Sequence, residues 1–417
     1  MPMHLALAAG RAWAAMAALP GSSGGSRRQG SLNDSSGWST NWPGFAPRSA
    51  EGRREAARIL GAVRGRSGPD GPDGLRAAVW RHLLEEDAAL LRGLVAYRTH
   101  PYARDLPDPP SLWAEGPARL LDFGGPGPAI LLVPSLVNRA FVLDLAEGRS
   151  MCRWLSASGV RPILLDWGWP GAEESGFTLT DWIAGRLERA LAAAVAAARG
   201  PVLLLGYCMG GLLTLAAALR RPDLVRGLVL LATPWDFHAG GEEERSRARA
   251  AAALLPALEA WMEPTGALPV DVLNALFAGL DPYGIARKFR AFGRLDPASA
   301  KAAHFVALED WLNDGVPLPA PVARECLGGW YGENTPARGL WRVAGAPVRP
   351  EAWRGPSLVA IPRGDRIVPP ESARALAEGL SGATVLDVPA GHIGMAAGAG
   401  AEAVLWRPLR DWCRAAA

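Results

Sequence analysis

Cysteine is scarce in this chain: four residues, Cys152, Cys208, Cys326 and Cys413, are spread over 417 positions. No two of them form a CxxC pair, and no histidine stands beside them at zinc-ligand spacing. A disulfide framework is therefore excluded and no metal site is expected, which points to a reducing, cytoplasmic compartment. Lysine is scarcer still. Lys288 and Lys301 are the only two, and arginine carries the remaining positive charge. A coding bias explains that pattern more simply than anion recognition by scattered arginines. The net charge is only +3, which gives no reason to expect nucleic acid as a partner. No apolar run reaches the ~18 residues of a membrane span, so no transmembrane segment is expected. The opening stretch, residues 3–23, lacks a basic n-region, and Arg11 interrupts its apolar run, so it reads as a short helix and not as a signal peptide.

What is present is a large globular chain. Hydrophobic residues make up 49% and charged residues 20%, enough for a sizeable core. The length suits one large domain with an added subdomain, or two domains. Residues 21–48 are rich in Ser, Gly, Asn and Pro and read as a flexible linker; residues 65–74 form a second Gly/Pro loop. Helical spacing is expected over Ala50 to Val63 and Leu75 to Tyr97, followed by a proline-bearing extended arm from His100 to Pro110. Together these make an N-terminal extension over 1–115.

From Leu120 the pattern changes to short apolar strands alternating with helices. Strands are expected at Ala129 to Val133, Pro162 to Asp166, Val202 to Leu205, Leu228 to Ala232, Ser357 to Ile361 and Thr384 to Val388. Helices are expected at Arg149 to Ser158, Leu179 to Ala198, Gly210 to Arg220, Pro370 to Leu380 and Ala401 to Cys413. Such alternation predicts an α/β fold with a mostly parallel sheet covered on both faces. Between Phe237 and Gly355 the pattern is helix and loop for about 120 residues, far beyond a plain connection of about 4–6 residues. The expected division is thus 116–238 and 356–417 as two parts of one core, with 239–355 inserted as a mainly helical cap. A cap in that place would exclude water and shape access to a site.

The sharpest local signal is Leu204-Leu205-Gly206-Tyr207-Cys208-Met209-Gly210-Gly211, between a strand and a helix. It is the cysteine form of the G-x-S-x-G nucleophile elbow. The turn strains the backbone at the nucleophile, and the flanking glycines avoid clashes. The following helix points its positive end at the thiol and favours the thiolate. On such a fold the order is nucleophile, acid, base. Asp365 follows the strand ending at Ile361, and His392 follows the strand ending at Val388, so Cys208, Asp365 and His392 are the expected triad. Asp236 is a rival acid, and His238 a weaker rival base because it breaks that order. His4, His82 and His100 precede the sheet and His304 falls in the inserted helices, so no chemistry is expected of them. Packing is the expected role of Cys152, Cys326 and Cys413. The backbone N–H of Met209 is expected as one oxyanion donor, and an N–H of the loop Pro134 to Arg139, set at Val137, as the other.

At these residues the chain resembles the poly(3-hydroxyalkanoate) synthases, a cysteine-dependent branch of the α/β-hydrolase superfamily. The resemblance rests on Val133 to Leu145, Gly206 to Gly211, Thr233-Pro234-Trp235-Asp236-Phe237, Asp365 to Pro369 and Gly391 to Gly394. Within the insertion, Phe305 to Asp314 and Trp330-Tyr331-Gly332-Glu333-Asn334 look like the cap of the short, two-component synthases. Ser135 departs from the pattern, standing where the family commonly has a second proline. The resemblance implies an α/β-hydrolase fold and an acyltransferase that takes 3-hydroxyacyl-CoA and extends a polyester on Cys208. The CoA thioester is then the substrate, and no cofactor is expected. A second synthase subunit, a homodimeric partner and the polyester granule surface are the associations it implies. Two other readings stay open on the residues alone: a cysteine hydrolase of polyester or acyl-CoA, and a granule-associated binding protein.

Overall fold

The computed structural model describes residues 71–416, together with Arg54 and Arg58. The expected short N-terminal helix, the linker at 21–48 and residues 65–70 of the expected second loop lie outside the described residues, whereas residues 71–74, expected in that loop, open a helix instead. The helix expected from Ala50 to Val63 is described at Arg54 and Arg58 alone, both helical. By contacts the described chain forms two compact units. One joins the residues up to His100 with Pro282–Pro297, and the other holds Pro101–Asp281 and Ala298–Ala417.

The larger unit is built on one sheet. Strands β1 (Ser111–Glu115), β2 (Ala118–Asp122), β3 (Ala129–Val133), β4 (Arg161–Asp166), β5 (Val202–Tyr207) and β6 (Val225–Leu231) precede the insertion. Inside it, β7 (Ala267–Leu268) pairs with β8 (Leu318–Pro319), and β9 (Arg342–Val343) with β10 (Ala346–Pro347). Then β11 (Ser357–Pro362) and β12 (Thr384–Val388) complete the eight-stranded sheet, in the order β1-β2-β4-β3-β5-β6-β11-β12. The pairs β1–β2 and β2–β4 are antiparallel; all later neighbours are parallel. β3, β5 and β11 read as unbroken apolar runs because both faces are covered. Ile130 and Leu132 enter one core, Leu131 and Val133 the other, as the strand period of two requires.

The helices, in chain order, are α1 (Gly71–Arg98), α2 (Met151–Ala157), α3 (Glu188–Ala198) and α4 (Met209–Arg220). The insertion adds α5 (Glu242–Ala253), α6 (Leu255–Thr265), α7 (Val270–Gly279), α8 (Pro282–Phe292), α9 (Ala300–Asn313) and α10 (Ala320–Arg324). α11 (Pro370–Gly379), α12 (His392–Ala397) and α13 (Arg407–Ala415) follow. α3, α4 and α11 cover one sheet face; α2, α12 and α13 cover the other. α4 is buried along its length from Met209 to Ala218, so it is apolar all round where an amphipathic stripe would otherwise suffice. Ser150 caps α2 by accepting from the Arg153 N–H, and Ser299 caps α9 by accepting from Ala302.

In the smaller unit α8 lies against α1. Gly93 allows the approach, since a Cβ there would stand 1.9 Å from the Phe289 carbonyl oxygen. Tyr97 meets Phe289 edge-on, and the Arg290 guanidinium donates to the Glu86 backbone. The insertion is therefore not one block. Its segment Pro282–Pro297 belongs with the N-terminal helix, a pairing of distant stretches that periodicity does not reveal.

Candidate active site

The elbow follows from packing around three glycines. β5 ends at Tyr207 and α4 begins at Met209, which leaves Cys208 alone in the turn at φ 56°, ψ −125°. A non-glycine residue at positive φ is strained and persists only where its surroundings hold it. The Cys208 N–H donates to the Leu231 carbonyl at 2.8 Å, which ties the turn to the end of β6. Gly206 faces the Gly211 Cα, where a Cβ would come within 2.4 Å. Gly210 sits beneath the Val133 carbonyl and Gly211 against Thr233, at 2.1 and 1.9 Å from a hypothetical Cβ. Side chains at these positions would push α4 away from the sheet and flatten the turn.

Asp365 lies on the loop after β11 and His392 is the first residue of α12, after β12. β11 and β12 are parallel neighbours, so their carboxyl ends bring the two loops together. His392 Nδ1 donates to Asp365 Oδ2 at 2.6 Å, both groups buried. The other carboxylate oxygen accepts from the Ile367 and Val368 N–H groups at 2.8 and 2.9 Å. A buried carboxylate is costly unless its lone pairs are filled, and here three donors fill them. The Nδ1 bond fixes the imidazole and leaves Nε2 for Cys208. Burial alone would disfavour the imidazolium. The negative Cys208, its hydrogen bond to the ring, and Asp365 outweigh it and raise His392 from 6.5 to about 10. Cys208, Asp365 and His392 thus act on one another, as the sequence order requires.

The other cysteines sit in different surroundings. Cys208 is half-buried, whereas Cys152, Cys326 and Cys413 are buried. Burial pushes the Cys152 and Cys326 thiols well up, and that of Cys413 to about 12. Protonated, enclosed thiols are poor nucleophiles.

The rivals are occupied elsewhere. Asp236 Oδ1 accepts from the His238 N–H and from Asn334 Nδ2, both at 2.8 Å. Asn334 Oδ1 in turn accepts from the Phe237 N–H at 3.0 Å. His238 Nε2 donates to the Tyr331 carbonyl at 2.8 Å. This clasp joins the loop after β6 to the Trp330-Tyr331-Gly332-Glu333-Asn334 segment of the insertion. Tyr331 also stands within the field of Cys208. Burial first, and then the charges of Cys208 and Cys326, push its phenol up. His100 Nε2 donates to the Pro297 carbonyl at 2.9 Å, in the smaller unit.

Met209 opens the twelve-residue helix α4, directly after Cys208. In the loop after β3, the Val137 N–H has a long contact with Ser135 Oγ, 3.5 Å, while its carbonyl accepts from Val316 at 3.0 Å. Trp167 Nε1 and Trp311 Nε1 hold the loop by donating to the Pro134 and Arg139 carbonyls at 3.0 and 2.8 Å.

Sequence reasoning passed over two residues. Tyr207, inside the elbow motif, stacks on the His392 ring at 5.2 Å between centroids and an interplanar angle of 27°. Its hydroxyl donates to the His392 carbonyl at 3.1 Å. A tyrosine at the buried end of an otherwise aliphatic strand is the signal that could have found it, since its hydroxyl must have a partner. Tyr331, which the insertion brings within the field of Cys208, has no such local signal.

A family model described as the alpha/beta hydrolase fold matches residues 128–398. The poly(3-hydroxyalkanoate) polymerase subunit PhaC of Allochromatium vinosum is 29% identical over 68% of this chain and 79% of its own. The PhaC subunit of Synechocystis sp. is 30% identical over 64% of this chain and 72% of its own. Among solved structures, a monoacylglycerol lipase of Paleococcus ferrophilus aligns over 72% of this chain and 99% of its own, at 17% identity and a TM-score of 0.48. The chain belongs to the α/β-hydrolase superfamily and, within it, to the poly(3-hydroxyalkanoate) polymerase family.

Proposed function

We propose that this protein is the catalytic subunit of a poly(3-hydroxyalkanoate) polymerase, an acyltransferase that moves 3-hydroxyacyl groups from CoA thioesters onto a growing polyester held on Cys208. The observation that carries the reading is the buried His392–Asp365 pair at 2.6 Å acting on a half-buried elbow cysteine. His392 takes the Cys208 proton through Nε2, and the thiolate attacks the thioester carbonyl. The N–H groups of Met209 and Val137 are the donors assigned to the oxyanion. The tetrahedral intermediate then collapses, the C–S bond to CoA breaks, and His392 returns the proton to the CoA sulfur. The 3-hydroxyl of the next 3-hydroxyacyl-CoA loses its proton to the same base and attacks the acyl-cysteine carbonyl; the C–S bond to Cys208 breaks, and attack of the freed thiolate on the lengthened CoA thioester returns the chain to Cys208 and releases CoA. A thiol nucleophile suits this exchange, because its leaving ability resembles that of CoA. The insertion, which brings Tyr331 within the field of Cys208, keeps water from competing with the hydroxyl.

The curated relatives are named polymerase subunits, which supports a second subunit as partner. A cytoplasmic place at the polyester granule surface accords with that chemistry. No helix among the described residues is long and apolar enough to cross a membrane. The test is incubation of the pure protein with 3-hydroxybutyryl-CoA, with and without a candidate second subunit. CoA release together with insoluble polyester is expected. CoA release with only free hydroxyacid would make the protein a hydrolase.

A further inference from the structure

We propose that Tyr207 is a positioning residue for the base: it couples the turn that carries Cys208 to the loop that carries His392, and so sets the distance between thiol and imidazole. The proposal rests on the triad reading above.

Cys208 and His392 come from separate parts of the sheet. The elbow follows β5, whereas His392 follows β12 at the sheet edge, with β6 and β11 between them. Backbone pairing alone sets their spacing through three strand-to-strand steps, each of which can flex. Tyr207 bridges that gap directly. Its backbone precedes Cys208, and it is the last residue of β5, in register with Leu231 of β6. Its ring lies nearly parallel to the imidazole, at 5.2 Å and 27°, and its hydroxyl donates to the carbonyl of the same histidine at 3.1 Å. One side chain thus holds both the ring and the backbone of His392. Asp365 holds the far edge of the ring through Nδ1. Rotation about the ring axis is limited by Asp365, and movement of the residue relative to the elbow is limited by Tyr207.

The side chain is suited to that task. Tyr207 is 4% exposed, so its hydroxyl has no alternative partner in solvent. Burial first, and then Cys208 and Asp365, push its phenol well up. It therefore remains a donor throughout the working range. Phenylalanine at this position would keep the stacking and lose the donor; an aliphatic residue would lose both.

The test uses the full-length protein with Tyr207→Phe and Tyr207→Leu. Iodoacetamide alkylation of Cys208 is followed by peptide mass as a function of pH, and melting is recorded for each variant. The unaltered protein should alkylate at Cys208 faster at neutral pH than the urea-unfolded chain does. Tyr207→Phe should melt close to the unaltered protein yet alkylate about three- to tenfold more slowly near neutral pH, the worth of one hydrogen bond. Its rate profile should shift toward higher pH, because a displaced imidazole stabilises the thiolate less. Tyr207→Leu should show a larger shift in the same direction. With 3-hydroxybutyryl-CoA, kcat should fall in Tyr207→Phe with KM unchanged. An unchanged alkylation profile in Tyr207→Phe overturns the proposal while leaving the triad intact. A lowered melting point with an unchanged profile makes the residue merely structural and overturns it equally. If Cys208 of the unaltered protein reacts no faster than in the unfolded chain, the triad reading fails and the proposal falls with it.

Discussion

At the scale of single residues, the triad ties reactivity to pH in a definite direction. His392 is raised to about 10 from 6.5 in the folded protein. Its protonated form therefore stabilises the fold fully below about 6.5, and that contribution disappears as pH rises through about 10. The melting difference between the unaltered protein and His392→Gln should accordingly shrink between those limits; a difference that grows with pH would reverse the sign. Since the charge on Cys208 is among the causes that raise the imidazole, Cys208→Ala should lower the His392 titration midpoint, as read by NMR. A midpoint that stays near 10 in that variant would mean that thiol and imidazole are uncoupled. Asp365→Asn makes a separate point. Thioester attack needs only a thiolate, which His392 supplies, but elongation needs a deprotonated hydroxyl, a much weaker acid. That variant should acylate Cys208 in a single turnover and barely elongate. Equal loss of both steps would place Asp365 in the first step as well.

Among the elements, the elbow is held by its glycines and the insertion by a clasp. Gly211→Ala would place a Cβ 1.9 Å from Thr233 Oγ1, so the helix must shift. Overpacking of that kind costs about 1–3 kcal/mol, and here it also moves the thiol. Calorimetry should show a lower melting point together with slower Cys208 alkylation. Alkylation at the normal rate would show that the turn tolerates the displacement. Asn334 has φ 55°, so glycine can replace it without backbone strain while removing the bonds to Asp236 and Phe237. Asn334→Gly should therefore speed hydrogen exchange in the π-helical turn Glu325–Gly332 relative to β5. Exchange at the original rate would mean that packing, and not the clasp, holds Tyr331 in place.

The elements differ in how far the sequence revealed them. The central parallel strands β3, β5 and β11 were legible because burial on both faces writes continuous apolar runs. β1 was not: Ser111–Glu115 is a partly exposed edge strand whose residues carry no clear alternation. The long helix expected from Leu179 to Ala198 is divided into a π-helical stretch, Asp181–Leu187, and α3, a change in hydrogen-bond register that composition does not encode. Cys208, Asp365 and His392 were proposed as a set from strand ends and chain order alone, and the structure brings His392 and Asp365 into hydrogen-bond contact. Tyr331 could not be named so, since its place depends on contacts between segments distant in sequence, and for Tyr207 the one local signal is a tyrosine at the buried end of β5.

On the scale of the whole molecule, the strained Cys208 at the end of β5 meets His392 from the edge of the same sheet. An inserted segment brings Tyr331 within the field of that cysteine. The same triad could release hydroxyacid or extend a polyester, and the difference lies in what reaches the acyl-cysteine. The central claim is thus a covalent acyl chain on Cys208 that grows by transfer. The measurement that tests it most directly is a rapid quench of the protein with labelled 3-hydroxybutyryl-CoA, followed by mass analysis of the Cys208 peptide. The account predicts first one and then several 3-hydroxybutyryl units on that peptide, and none in Cys208→Ala. Rapid appearance of free hydroxyacid with an unmodified Cys208 peptide, or label on any of the other three cysteines, would contradict it.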